Sequence, residues 1–185
     1  SDRVVKLTGP TGNQATMSYD AMNNLKAVKN ALGHETKYNY DNLNRPTAVK
    51  DPENNNNHYN YDAIGNVTSG VMANGRTINY TYDRLNRVTA VNDNSGTIAS
   101  LSYDKNNNVT SYTNGTGATV NALYDSLDRI KNITDPLGNS TAYTYDKNNN
   151  ITSVTDREGR ISFYTYDSLD RIKTFTDNNG FVITA

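Results

Sequence analysis

Residues 82–96 read Tyr82-Asp83-Arg84-Leu85-Asn86-Arg87-Val88-Thr89-Ala90-Val91-Asn92-Asp93-Asn94-Ser95-Gly96, and this pattern recurs along the chain. The Tyr-Asp pair returns eight times, and every step is 21 residues. The eight pairs are Tyr19-Asp20, Tyr40-Asp41, Tyr61-Asp62, Tyr82-Asp83, Tyr103-Asp104, Tyr124-Asp125, Tyr145-Asp146 and Tyr166-Asp167. Such spacing is typical of a repeat array, in which each repeat is too small to bury a core alone and is stabilised by its neighbours.

Apolar and β-branched residues recur at fixed places in the repeat. When each repeat is numbered from its tyrosine, positions 7 and 10 are usually apolar, as at Val88 and Val91, and position 8 is usually threonine, as at Thr89. Runs of this kind predict β-strands. Positions 7 and 10 are three residues apart, so a regular strand would point them to opposite faces. Either both faces are partly covered, or a bulge intervenes.

A second signal predicts a tight turn in the middle of each repeat. Position 12 is often Asp, position 13 is Pro in three repeats, and position 15 is Gly in all copies but one. The position 15 residues are Gly12, Gly33, Asn54, Gly75, Gly96, Gly117, Gly138, Gly159 and Gly180. Asp first, Pro second and Gly fourth indicate a type I turn followed by a left-handed residue. Asn54 fits, because Asn tolerates positive φ best after Gly.

These signals together predict an all-β fold of tandem 21-residue β-hairpins. Each repeat is a hairpin, joined to the next through the Tyr-Asp corner, and residues 1–185 form a single array of about 16 strands. A sheet of that width is expected to coil, as a spiralling antiparallel strip or partial shell. We expect the Tyr-Asp tyrosines to form a largely buried ladder. The chain starts and stops out of phase with its repeat, so we expect a fragment of a longer protein.

A second period of 42 residues lies within the first. Position 6 alternates between Arg and Asn along the chain: Arg3, Asn24, Arg45, Asn66, Arg87, Asn108, Arg129, Asn150 and Arg171. Either an ancestral pair of repeats was duplicated, or adjacent hairpins lie in two environments. In the second case we expect each Arg to reach an aspartate of its own or an adjacent hairpin, while the shorter Asn serves its local turn.

Composition argues against several functional classes. The net charge is −1 and the cations are scattered singly, so nothing indicates nucleic-acid binding. There is no cysteine, and His34 and His58 stand alone, so we expect neither metal nor cofactor. No apolar run is long enough to insert in a membrane. Eight copies of a catalytic Tyr-Asp pair are implausible, so we expect no enzyme.

The eight in-register copies of the Tyr82–Gly96 pattern closely resemble the YD-repeat, or Rhs-repeat, family. Its members include bacterial Rhs and wall-associated polymorphic toxins, the shell subunits of insecticidal toxin complexes, and the teneurins. The resemblance implies a spiral of β-hairpins that forms a large hollow shell in full-length members, and in the toxins this shell encloses a C-terminal effector. The segment Asp135-Pro136-Leu137-Gly138 is superficially similar to the self-cleavage segment that ends an Rhs core, but it occupies the ordinary turn register.

The resemblance implies a structural module of a secreted or cell-surface protein, which contributes to a shell or scaffold that encloses or presents a toxin or adhesive domain. Its expected partners are flanking repeats or domains of the same chain and an enclosed effector. The alternative is a carbohydrate-binding or adhesion module, whose aromatic and Asn-rich faces would contact a surface glycan. Sugar platforms leave aromatic rings open to solvent, whereas structural tyrosines are covered.

Overall fold

The computed structural model describes residues 3–10 and 14–184, and within them it contains strands and turns but no helix. The chain divides into two compact units, Ser1–Gly96 and Thr97–Ala185. The all-β prediction of tandem antiparallel hairpins is confirmed in each unit. The turn predicted at Gly12 lies outside the described residues.

The N-terminal unit contains nine strands. They are β1 Arg3–Thr8, β2 Gln14–Tyr19, β3 Leu25–Lys29, β4 Glu35–Tyr40, β5 Pro46–Lys50, β6 Asn56–Tyr61, β7 Val67–Val71, β8 Thr77–Tyr82 and β9 Val88–Asp93. Each pairs antiparallel with its neighbour in sequence, from β1–β2 to β8–β9. The unit is therefore a meander of consecutive hairpins.

The C-terminal unit follows the same plan. Its strands are β10 Gly96–Tyr103, β11 Val109–Asn114, β12 Thr119–Tyr124, β13 Ile130–Thr134, β14 Ser140–Tyr145, β15 Ile151–Thr155, β16 Ile161–Tyr166, β17 Ile172–Thr176 and β18 Val182–Thr184. They also pair antiparallel in sequence order, from β10–β11 to β17–β18. Each 21-residue repeat thus supplies two strands and two turns.

A β-bulge next to every Tyr-Asp tyrosine decides between the two alternatives for positions 7 and 10. In the β8–β9 pair, Thr81 lies opposite Ala90, but Tyr82 lies opposite Val88, so Thr89 is the extra residue. Because residues opposite each other share a face, the bulge places Val88 and Val91 on the same side of the sheet as Tyr82 and Tyr80. We call this side, with the equivalent residues of the other repeats, the tyrosine face.

Few side chains are fully buried. Among the described residues the buried hydrophobic side chains are Ala27, Ala48 and Ala99, whereas the tyrosines and valines of the tyrosine face are mostly half-buried. A single sheet layer covers each side chain only from its neighbours in the sheet, so a dense core does not form. Stability must therefore come from contacts along the sheet and at its turns.

Candidate functional site

The aspartate of each Tyr-Asp pair closes the turn that it begins. In the turn after β12, Oδ1 of Asp125 accepts hydrogen bonds from the backbone N–H groups of Leu127 at 2.8 Å and Arg129 at 3.1 Å. The Asp125 carbonyl accepts from the N–H of Asp128 at 3.2 Å, and its N–H donates to the Arg129 carbonyl at 2.9 Å. Asp128 has a φ of 60°. This is a type I turn followed by a left-handed residue.

The second connection of each repeat uses the same turn. Oδ1 of Asp135 accepts from the N–H groups of Leu137 and Asn139, both at 2.9 Å. Gly138 donates to the Asp135 carbonyl at 3.0 Å and has a φ of 88°. Asp135-Pro136-Leu137-Gly138 is therefore an ordinary hairpin turn. The Tyr-Asp corner is therefore a turn of the same type. Its sequence already indicated this, because the turn begins with Asp and has Asn, Asp or Gly as its fourth residue.

Both series of turns have a left-handed residue in the same place. In the Tyr-Asp turns these residues are Asn23, Asn44, Gly65, Asn86, Asn107, Asp128, Asn149 and Asp170. In the mid-repeat turns they are Gly33, Asn54, Gly75, Gly96, Gly117, Gly138, Gly159 and Gly180, with φ between 68° and 133°. Only small or short polar residues occupy these positions, because a Cβ beside the carbonyl disfavours positive φ and Asn and Asp compensate by local hydrogen bonds.

The hydroxyl of the Tyr-Asp tyrosine binds the preceding Tyr-Asp turn. Tyr82 donates to the backbone carbonyl of Val67 at 2.8 Å, and Val67 lies opposite Tyr61, the preceding tyrosine. The equivalent bonds run from Tyr40 to Leu25, Tyr61 to Pro46, Tyr124 to Val109, Tyr145 to Ile130 and Tyr166 to Ile151, at 2.7 to 3.0 Å. Sequence reasoning missed this contact, because a backbone carbonyl acceptor leaves no mark on residue type.

The eight Tyr-Asp tyrosines are mostly covered, but none of them is fully buried. All eight are half-buried, since one sheet layer covers each ring from one side only. Burial is the main cause that raises the pKa of Tyr82, and nearby Tyr80 and Asp62 add to the rise. The hydroxyl therefore stays protonated and remains a donor.

The arginine at position 6 links its own turn to the next Tyr-Asp turn. Nε of Arg129 donates to Oδ2 of Asp125 at 2.7 Å, and its Cζ lies 4.6 Å from the ring centroid of Tyr145. Its Nη1 donates to the Asp146 carbonyl at 2.9 Å and to Oδ1 of Asn149 at 3.0 Å. Arg45 makes the corresponding contacts with Asp41, the Tyr61 ring and the Asp62 carbonyl. The expected contact with an aspartate is present for Arg45, Arg87, Arg129 and Arg171.

The asparagine at position 6 makes a shorter version of the same link. Nδ2 of Asn150 donates to Oδ2 of Asp146 at 3.1 Å and to Oδ1 of Asp170 in the next turn at 2.8 Å. It is too short to extend over the ring of Tyr166 as Arg129 extends over Tyr145. The 42-residue alternation therefore corresponds to two tyrosine environments, one beneath an arginine and one beside an asparagine.

Asp135 and Asp167, which begin one turn of each series, have lowered pKa values. For Asp135 the side-chain amide of Asn139 is the largest cause, and the backbone N–H groups of Asn139 and Leu137 add to it. For Asp167 the largest cause is the hydrogen bond from the Arg171 side chain. Both carboxylates are ionised at neutral pH and are engaged by donors of their own turn, so they are arranged to hold turns rather than to exchange protons.

The described residues contain no group of three or more His, Asp or Glu side chains that could hold a metal ion. His34 and His58 are exposed. A helix able to cross a bilayer is also absent from residues 3–10 and 14–184.

Comparison with known proteins agrees with this geometry. The family model described as RHS Repeat matches residues 23–55, 61–98, 82–119, 124–161 and 145–182. No curated protein matches the chain.

Two solved structures are similar over nearly all of the chain. The crystal structure of TcdB2-TccC3-Cdc42 aligns with a TM-score of 0.54 and 17% identity, covering 92% of this chain and 9% of that one. The Photorhabdus luminescens Tc holotoxin pore aligns with a TM-score of 0.58 and 11% identity, covering 94% of this chain and 12% of that one. At these identities the likeness shows the fold, and the chain spans about a tenth of those proteins. The matches give no support to the carbohydrate-binding alternative.

Proposed function

Because the chain belongs to the RHS repeat family, we propose that it is a structural module of a shell or scaffold rather than an enzyme or a sugar-binding domain. The observation that carries the proposal is the linkage between successive Tyr-Asp turns. Each turn is closed by its own aspartate, and tyrosine hydroxyls and position 6 side chains bind it to the turns before and after. The recurring side chains of the repeat are engaged in contacts that hold the turns together, as expected for a structural scaffold.

We infer that the scaffold encloses or presents another part of its parent protein. The similar toxin-complex structures support this inference through the fold. The expected partners are therefore flanking repeats and an enclosed effector, and the expected location is outside the cell.

A fusion experiment tests the scaffold role. A folded reporter domain is attached after Ala185, and the fusion is treated with trypsin under native conditions. The chain carries 18 Lys and Arg residues, so survival of the array is informative. A scaffold stays intact, because cleavage requires local opening of hairpins that are linked on both sides. A double variant, Arg129→Ala with Tyr145→Phe, removes side-chain links between the turns that begin at Asp125 and Asp146 and is expected to be cut faster.

The trypsin resistance of the reporter shows whether the scaffold encloses the attached domain or presents it. A reporter that becomes resistant only in the fusion is sheltered, whereas one that stays cleavable on an intact array is displayed. If the array is cut as fast as urea-unfolded chain and the double variant behaves like the parent, the scaffold proposal is contradicted.

A further inference from the structure

Two residues of the third repeat depart together from the pattern of the array. Position 10 is Gly70, and position 12 is Met72. In the other repeats position 10 carries a large apolar side chain: Val28, Val49, Val91, Tyr112, Ile133, Val154 and Phe175. Position 12 is otherwise Asp or Asn, so Met72 is the one apolar residue at the start of a mid-repeat turn from Asn30 onward.

Gly70 adds no side chain to the tyrosine face, and the end of the Met72 side chain lies close to the place of the missing Cβ. Gly70 lies opposite Tyr59 on one side and Ile78 on the other, and it is buried. A cavity of about 350 Å³ beside Gly70 has walls that include Tyr59, Tyr80 and Met72. A Cβ added at Gly70 would lie 3.2 Å from Cε of Met72 and 3.7 Å from the Tyr59 ring. We call this cavity the Gly70 notch.

Another repeat of the chain carries an aromatic ring at the position equivalent to Gly70. In the repeat that begins at Tyr166, position 10 is Phe175, which lies opposite Tyr164 in the same register as Gly70 opposite Tyr59. The rings of Tyr164 and Phe175 have centroids 5.3 Å apart and are tilted by 50°. This tilted arrangement is favourable for an aromatic pair. The Gly70 notch therefore lies where the repeat that begins at Tyr166 places the second ring of an aromatic pair.

We propose that the Gly70 notch binds one uncharged aromatic ring of benzyl size, which packs against Tyr59 as Phe175 packs against Tyr164. The cavity is several times the volume of one ring, and its apolar walls favour an uncharged group. Met72 forms the adjustable wall, because its side chain is flexible and its sulfur makes favourable contacts with aromatic rings. The proposal does not depend on the scaffold role, since it concerns one repeat only.

Methionine methyl NMR tests the proposal on the whole chain. The protein contains three methionines, Met17, Met22 and Met72, so a methyl-labelled sample gives three signals. Benzyl alcohol is titrated, and a Kd on the order of 10 mM is expected for so small a ligand. The Met72 signal should shift and saturate, while those of Met17 and Met22 stay in place and serve as internal controls.

Two variants and two further probes make the test specific. Gly70→Val restores the side chain of other repeats and should weaken binding by about tenfold or more. Gly70→Ala is the milder variant, and unchanged Met17 and Met22 signals show that either variant is folded. Cyclohexylmethanol, similar in size but without an aromatic ring, should bind less well. N-acetyl-phenylalanine amide identifies the source: tighter binding than benzyl alcohol indicates a peptide side chain, and equal binding indicates a small aromatic molecule.

A Met72 shift that never saturates, that persists in a folded Gly70→Val variant, or that cyclohexylmethanol reproduces equally well would overturn the proposal.

Discussion

The guanidinium of Arg129 lies over the ring of Tyr145, with Cζ 4.6 Å from the ring centroid, while its Nε holds Asp125 at 2.7 Å. The same side chain thus closes one turn and covers the tyrosine of the next. Arg160 provides a contrast: its Nε contacts Asp156 at 2.6 Å, but its side chain is 57% exposed, compared with 20% for Arg129. An ion pair within one turn is common to both, and the contact between turns is specific to Arg129.

This contrast predicts unequal effects of truncation. Arg129→Ala should lower the free energy of unfolding by about 1–2 kcal/mol, because it removes a partly desolvated cation–π contact and hydrogen bonds to the next turn. Arg160→Ala should cost about 0.5 kcal/mol or less, as expected for an exposed ion pair. Urea unfolding followed by circular dichroism measures both. Equal losses would mean that the contact with Tyr145 contributes nothing.

The tyrosine hydroxyls give a second prediction. Tyr82→Phe removes the hydrogen bond to the Val67 carbonyl and should lower the free energy of unfolding by about 1 kcal/mol. Tyr80 is the matched control, since it is half-buried on the same strand and its hydroxyl has no hydrogen-bond partner in the described part of the chain. Tyr80→Phe should change the stability little. If Tyr82→Phe changes the free energy of unfolding as little as Tyr80→Phe does, the Tyr82 hydrogen bond does not stabilise the contact between turns.

The turn aspartates predict acid sensitivity. The folded-state pKa values of Asp135 and Asp167 lie below the ordinary value of about 3.9, so the unfolded chain binds more protons in acid. The stability that they contribute is present above the unfolded pKa and is lost as the pH falls through the folded pKa. The urea midpoint should therefore be nearly constant from about pH 7 to 5 and should fall below about pH 4.

The chain supplies its own control for this effect. Asn30 and Asn114 stand in the place of the turn aspartate, and their Oδ1 atoms accept the same backbone N–H groups without a charge. Asp135→Asn should therefore keep the turn at pH 7 and weaken the acid dependence of the urea midpoint. An unchanged acid dependence would show that Asp135 does not contribute to it.

The sequence predicted the hairpins well and the contacts between them poorly. Spacing and turn chemistry are local, so Asp93, Gly96 and Val88 indicated strands and turns without any knowledge of neighbours. The Tyr82 hydroxyl bond could not be predicted, because its acceptor is the backbone carbonyl of Val67 and any residue type offers one. For Arg129 the sequence predicted a contact with an aspartate of its own or an adjacent hairpin, but not with a tyrosine ring. The extension of Arg129 over Tyr145 depends on the distance between successive turns, which the register of the strands sets.

Burial was the other property that the sequence did not provide. Apolar periodicity indicated that Val88, Val91 and the tyrosines belong to strands of the same sheet. It did not show how much of each side chain is buried. A single sheet layer leaves them half-buried, whereas the same pattern in a two-layer sandwich would bury them. The sequence also did not decide whether a bulge lies between positions 7 and 10. One inserted residue, here Thr89, reverses the face of every residue that follows in the strand.

The left-handed turn residues lead to a last prediction, which isolates the energetic cost of positive φ from the cost of steric contacts. Gly138 has a φ of 88°, and a Cβ added there meets no atom within 4 Å, so any cost of a side chain arises from the backbone alone. Gly138→Ala should lower the free energy of unfolding by about 1–2 kcal/mol, the cost of left-handed backbone for an ordinary residue. Gly138→Asn should cost much less, because Asn54 occupies the equivalent position of its own repeat with a φ of 68°. Urea unfolding of the three proteins, with Asn54→Gly as the reverse exchange, measures the difference. If Ala and Asn cost the same, the turn has relaxed to another conformation and positive φ does not account for glycine at this position.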